Sequence, residues 1–205
     1  MGILASGGNA ASAETSYFPN MDGIENGVSH PSLKDSNGNQ LINNKEYYIQ
    51  PYENPEAKLD IFIQQNGDYP WTPAKGPKMK VKFANDPTTP YVAIESSSVS
   101  YTYQGEGIDK GPVWGLLGAR LTGASTQLGL KNLYKFAGID DYDYTWRIEG
   151  SKYPNYYSVS LSGRSASYLE YQGLNNYVYL KHTSDYLFNP NAMPDSLQWT
   201  FVPAE

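Results

Sequence analysis

The sequence predicts an all-β domain, on two observations that set the class and a third that narrows it. The first is a series of short runs rich in Tyr, Val, Ile, Phe and Trp: "EYYIQP", "KLDIFIQ", "MKVKFA", "YVAIES", "VWGLLG", "TWRIEG", "YYSVSLSG", "SYLEYQG", "YVYLKH" and "LQWTFVP". The second is punctuation. Clusters of Gly, Pro, Asn and Asp separate the runs, so the chain turns before any of them reaches helical length. The third is spacing: "VAIE" at Val92, "WRIE" at Trp146 and "WTFV" at Trp199 stand 54 and 53 residues apart (146 − 92 and 199 − 146). About a dozen strands in a threefold unit of about fifty residues fit a β-trefoil, in which six strands close a short barrel and six form capping hairpins. Periodicity alone leaves a β-sandwich open as well.

Taken in order, residues 1–32 are rich in Gly, Ala, Ser and Asn with isolated apolar groups. Such a stretch buries too little to offset the entropy of ordering it, and is expected to be a flexible N-terminal arm before a domain at 33–205. The domain opens on "LKDSNGNQLINNKEYYIQP", where Asp35, Asn37, Gly38 and Asn39 form a turn that delivers Tyr47–Ile49 into a strand. Further on, "KMKVKF" alternates as a half-buried strand does, with Met79, Val81 and Phe83 inward and Lys78, Lys80 and Lys82 in solvent. A helix over "GARLTGASTQLGLKNLYKF" is disfavoured by Gly118, Gly123, Gly129 and the threonines.

Composition removes several classes of function. With 205 residues the chain can bury a real core unaided, and with no cysteine it has no disulfide, thiolate nucleophile or thiolate metal site. Histidine occurs twice, at His30 and His182, each expected at a surface or in a turn, so a catalytic triad or a His-rich zinc site lacks material. A net charge of −6 without a basic run argues against nucleic acid. No stretch approaches the roughly 20 apolar residues that span a bilayer. "MGILASGGNAASAETS" is too polar for a signal peptide, which leaves an intracellular protein or one whose signal has been removed. "DDYD" at Asp140, Asp141 and Asp143 offers oxygen ligands but no distal bidentate Glu, so calcium is not expected. No cofactor is called for, and no paired catalytic residues suggest an enzyme.

The opening stretch carries a resemblance. Leu33, Asp35, Asn37, Gly38, Asn39, Leu41, Tyr47 and Ile49 reproduce the N-terminal signature of the soybean-type Kunitz protease inhibitors, a β-trefoil family. Looser likenesses follow in order: "AKLDIFIQ", "GPKMKVKFAND", "VWGLLG", "TWRIEG" with "PNYYSVSLSG", and "LQWTFVPAE". This phase makes "YVAIE" the start of the second unit, whereas self-comparison makes "VAIE" the end of the first. The family's usual cysteines are missing near Ala57, Gln104 and Ser162. Their loss removes on the order of 2–4 kcal/mol per bridge.

The resemblance implies a secreted setting and a substrate-like reactive loop over Lys78, Met79, Lys80, Val81 and Lys82. Lys80 would enter the carboxylate-based pocket of a trypsin-like serine protease, and Asn43 would support the loop. Two other functions compete. Nineteen Tyr, four Trp and the cadence of "YYSVSLSGRSASYLEYQGLNNYVYLKH" suit a carbohydrate-binding trefoil, although the Gln-x-Trp element of ricin-like lectins is absent and Gln198-Trp199 are adjacent. Inhibition of cysteine proteases through other trefoil loops, as in cysteine-free mushroom inhibitors, is the third.

Overall fold

The computed structural model describes residues 24–64, 67–84, 86–105, 108–122, 125–132, 142–143, 145–162, 167–182 and 189–205. Over these residues run the strands β1 (Ser29–Lys34), β2 (Gln40–Ile42), β3 (Lys45–Pro51), β4 (Asp60–Gln64), β5 (Gly67–Trp71), β6 (Met79–Phe83), β7 (Tyr91–Gly105) and β8 (Ile108–Thr122). They continue as β9 (Ser125–Asn132), β10 (Tyr142–Asp143), β11 (Trp146–Gly150), β12 (Tyr157–Leu161), β13 (Ser167–Glu170), β14 (Tyr179–His182) and β15 (Gln198–Pro203). Among the described residues, helix is limited to 3-10 turns at Pro190–Ala192 and Asp195–Leu197. The glycine-interrupted stretch from Gly118 is strand in β8 and β9, as its composition requires, up to Asn132. The expected arm lies outside the described residues up to residue 23, and β1 begins inside its remainder, at Ser29.

Six strands form a closed ring. β3 pairs with β6, β6 with β7, β7 with β11, β11 with β12, β12 with β15, and β15 returns to β3, all antiparallel. Closure removes both sheet edges from solvent. A hairpin fills every second interval between ring strands along the chain: β4/β5 between β3 and β6, β8/β9 between β7 and β11, and β13/β14 between β12 and β15. β10 adds to β8, and β1/β2 precede the ring.

The register repeats three times. Met79 faces Ser96 and Phe83 faces Val92; Trp146 faces Leu161 and Gly150 faces Tyr157; Trp199 faces Pro51 and Pro203 faces Tyr47. Met79, Trp146 and Trp199 are therefore equivalent positions, as are Tyr47, Val92 and Tyr157. The 53-residue interval between the tryptophans is a structural repeat (199 − 146). The interval from Val92 to Trp146 is not, because β7 opens the second strand pair and Val92 pairs directly with Trp146. That phase is the one the family resemblance implied.

Alternation sends one side of each ring strand into the core: Tyr47 and Ile49, Met79, Val81 and Phe83, Val92 and Ile94, Trp146 and Ile148, Tyr157, Val159 and Leu161, Trp199 and Phe201 are all buried. The indole N–H of Trp146 donates to the carbonyl of Leu117 in β8 at 2.9 Å. That of Trp199 donates to the carbonyl of Leu169 in β13 at 3.0 Å. Each closing strand is thus bonded to the first strand of its own hairpin, which satisfies the polar tip of a buried aromatic.

Candidate functional site

The opening turn forms around Asp35, whose Oδ1 accepts from the amides of Asn37 at 2.9 Å and Asn39 at 3.0 Å. Gly38 at φ +83° supplies the left-handed step. The Ser36 amide donates to the carbonyl of Phe201, and the buried phenols of Tyr47 and Tyr157 accept from the amides of Ile42 and Lys34. The signature residues therefore seal one end of the barrel. Burial pushes both phenols above the ordinary tyrosine pKa.

Asn43 is buried and its carboxamide is fully used. Its Oδ1 accepts from the Phe83 amide at 2.8 Å, and its Nδ2 donates to the carbonyls of Ile24 and Glu25, each at 3.0 Å. The carbonyls it holds thus belong to the segment before β1, and its tie to the expected loop is made at Phe83. The Asn44 amide adds a bond to the Val81 carbonyl at 2.8 Å.

Met79–Phe83, expected from the resemblance to carry a protruding loop, is β6, a strand with a neighbour on each side. Lys80 faces Glu46 on β3 and Glu95 on β7, and Val81 faces Lys45 and Ile94. The physical reason is the alternation itself: Met79, Val81 and Phe83 are wholly buried, and a loop would expose them. Lys82 pairs with the buried carboxylate of Glu95. Lys78, just before the strand, donates to the Glu205 carbonyl at 2.9 Å and lies 3.9 Å from Glu46.

Two groups of tyrosines differ in what their faces touch. Tyr52 and Tyr153 stack with centroids 3.9 Å and planes 7° apart, Tyr156 meets Tyr52 edge-on at 5.0 Å, and Lys152 Nζ lies 5.0 Å from the centre of Tyr153. Asp195 draws the group together, 2.8 Å from Lys152 Nζ and accepting from the Tyr153 hydroxyl at 3.3 Å. Its bond holds the Lys152 ammonium above the usual lysine pKa. These rings pack on one another, so the cluster is a clasp between the end of β3, the β11–β12 turn and the 3-10 turn at Asp195.

The second group lies on the connection from β13 to β14, where Leu174, Tyr177 and Tyr179 are 39%, 38% and 54% exposed. Its backbone is held from below. Thr72, fully buried, donates its hydroxyl to the Gly173 carbonyl at 2.9 Å and its amide to the Asn176 carbonyl at 3.1 Å, and accepts from the Asn175 amide at 2.8 Å. Asn176 locks the turn by donating to the Gln172 carbonyl and accepting from the Tyr177 amide. Gly173 and Asn175 take positive φ, at 110° and 59°. Tyr171 and Val178 anchor the two ends in the core. The sequence placed these tyrosines in its carbohydrate-like third but could not separate them from the strand tyrosines around them.

His30 corrects an expectation: it is wholly buried. Its Nδ1 accepts from the amides of Leu33 at 2.9 Å and Ser32 at 3.1 Å, so its Nε2 carries the proton and donates to the Thr89 carbonyl at 2.9 Å. His182 is exposed, with Nδ1 3.1 Å from the Ser167 hydroxyl. Asp140 and Asp141 lie outside the described residues. Among the described residues no His, Asp and Glu gather into a metal-binding group, and no helix is long and apolar enough to cross a membrane.

No protein-family model matches the chain, and no curated protein matches it. Solved structures do. The water-soluble chlorophyll protein of Brassica oleracea var. Botrytis, with chlorophyll-b, is 16% identical with a TM-score of 0.53, over 84% of this chain and 98% of that one. The BEL β-trefoil, in an apo crystal form, is 11% identical with a TM-score of 0.53, over 86% of this chain and all of that one. The receptor binding domain of botulinum neurotoxin type G is 12% identical with a TM-score of 0.60, and the match spans 86% of this chain but 47% of the toxin domain. At these identities the likeness is one of fold. The class it defines is a six-stranded closed barrel with hairpins, shared with trefoil proteins whose ligands differ.

Proposed function

We propose that this chain is a β-trefoil binding module without catalytic activity, and that it recognises carbohydrate through the connection Gln172–Tyr179. The observation that carries the reading is the combination of a pinned backbone and an exposed aromatic ring, Tyr179, at its end. Thr72 orders the turn before any ligand arrives, which lowers the entropic cost of binding. Tyr179 then offers a hydrophobic face to the C–H side of a pyranose. The threefold register and the three hairpins, one in every second interval, support the trefoil assignment. A glycan array probed with wild type and with Tyr179→Ala tests the function: hits that vanish in the variant support it, and a blank array for wild type refutes it.

A second reading, protease inhibition of the Kunitz kind, is favoured by the signature from Leu33 to Ile49 and by the carboxamide of Asn43. In this barrel the Lys80–Val81 bond is flanked by β3 and β7, so a trypsin-like protease would have to strip β6 from both neighbours to reach it. Inhibition, if the chain performs it, belongs to a loop at the barrel rim near Asn43. Trypsin and papain assays of wild type, Lys80→Ala and Asn43→Ala separate the possibilities. Loss with Lys80→Ala would restore the lysine as the residue that enters the protease pocket.

A further inference from the structure

The face that carries Tyr179 has a polar border. Glu170, the last residue of β13, stands directly across from Tyr179 in the β13/β14 ladder, so the two side chains share one face with Cβ atoms about 5 Å apart. Lys181, two residues beyond Tyr179, rises on that same face, and its Nζ lies 3.8 Å from Glu170 Oε1. The ammonium is half-exposed while the carboxylate is tucked in at 18% exposure. An open aromatic ring is thus bordered by an acceptor with two oxygens and by a donor with three protons.

The surrounding charge selects among ligands. The carboxyl of Glu53 is held above the usual glutamate pKa by partial burial first, then by the negative charges of Asp195 and Glu170. Asp195 is paired with Lys152 and Glu170 with Lys181. A ligand carrying its own carboxylate or sulfate meets the repulsion of the Glu170 carboxylate that its hydroxyls must approach. One carrying neutral hydroxyls does not.

We propose that the site takes neutral pyranosides through a vicinal diol. The sugar's C–H face rests on Tyr179, two adjacent hydroxyls donate to the Glu170 carboxylate, and Lys181 donates to a hydroxyl or ring oxygen. The proposal rests on the carbohydrate reading above and adds the chemical class and the two polar residues that set it. Carboxylate acceptance of paired hydroxyls is geometrically demanding, since both donors must sit on adjacent carbons within reach of one Oε pair.

The test is calorimetric titration of the full chain with methyl glycosides of neutral hexoses, with a mono-O-methyl derivative that blocks one hydroxyl of the diol, and with the matching uronide. Three variants accompany wild type: Tyr179→Ala, Tyr179→Phe and Glu170→Gln. All change side chains at or near the surface, and circular dichroism checks that each remains folded. Wild type should bind a neutral glycoside, and Tyr179→Phe should retain that binding. Tyr179→Ala should lose it, and Glu170→Gln and the O-methyl derivative should each weaken it roughly tenfold or more, the loss of charge-assisted hydrogen bonds. The uronide should bind more weakly than the neutral sugar. A uronide that binds as well as the neutral glycoside, or binding unmoved by Glu170→Gln, overturns this proposal and leaves the carbohydrate reading intact. Binding to no glycan, or binding unmoved by Tyr179→Ala, overturns both.

Discussion

Trp146 and Trp199 perform the same task at equivalent positions, and Met79 fills the third without a donor. Each indole joins a closing barrel strand to its hairpin, so removing the N–H leaves a buried carbonyl unmet. Trp199→Phe should therefore destabilise the fold by about 1–3 kcal/mol through lost packing and the orphaned Leu169 carbonyl, as read by urea unfolding. Met79→Leu, which changes shape but removes no hydrogen bond, should cost less than about 1.5 kcal/mol. His30 is the second residue on which several groups depend. His30→Ala orphans the amides of Ser32 and Leu33 and the carbonyl of Thr89, and should cost about 2–4 kcal/mol in the same measurement. The interval between the tryptophans was legible in the sequence, but the role of His30 was not. His30 sits in a polar segment just before Pro31, and its far partner, 59 positions away, is brought to it by the fold alone.

Among elements, what the sequence made legible was periodicity, and its failures share one cause. β3, β6 and β11 announce themselves because a period of two with one buried face admits few alternatives. Whether "KMKVKF" is a strand or a protruding loop depends on partners, Glu46 and Glu95, that only closure sets opposite Lys80. Likewise Tyr52 and Tyr153, 101 positions apart (153 − 52), use up each other's faces, while Tyr179 stays more than half exposed. Composition counts tyrosines without knowing which will meet. The order of the β13–β14 connection is itself testable, because one hydroxyl adds to the two backbone bonds that Thr72 makes with it. Thr72→Val keeps the shape and removes the bonds to Gly173 and Asn176. It should cost about 1–2 kcal/mol and speed amide exchange at Asn175, whose partner is the Thr72 carbonyl, and at Tyr177. It should also weaken any ligand held by Tyr179 without touching that residue.

At the scale of the whole molecule, the barrel is closed by backbone pairing and sealed at one end by the opening turn. Two buried phenols make that seal sensitive to base. Tyr47 and Tyr157 each accept a backbone amide from the segment that crosses the barrel end, and burial raises both above the free value of 10.0, with the nearby Asp35 carboxylate adding to the shift. The folded chain therefore retains protons that the unfolded chain gives up at lower pH. It follows that the stability tied to these phenols is whole below about pH 10 and is lost as pH rises through their folded values. Urea unfolding at intervals between pH 8 and pH 11.5 should show a plateau followed by a fall, and the absorbance of tyrosinate should rise in two stages, exposed rings first and the buried pair together with unfolding. Tyr157→Phe removes one of the two groups, so it should lower stability on the plateau, where the Lys34 amide loses its acceptor, and make the alkaline fall shallower. A fall of the same steepness in the variant would move the origin of the alkaline transition away from Tyr157 and onto other groups in the barrel.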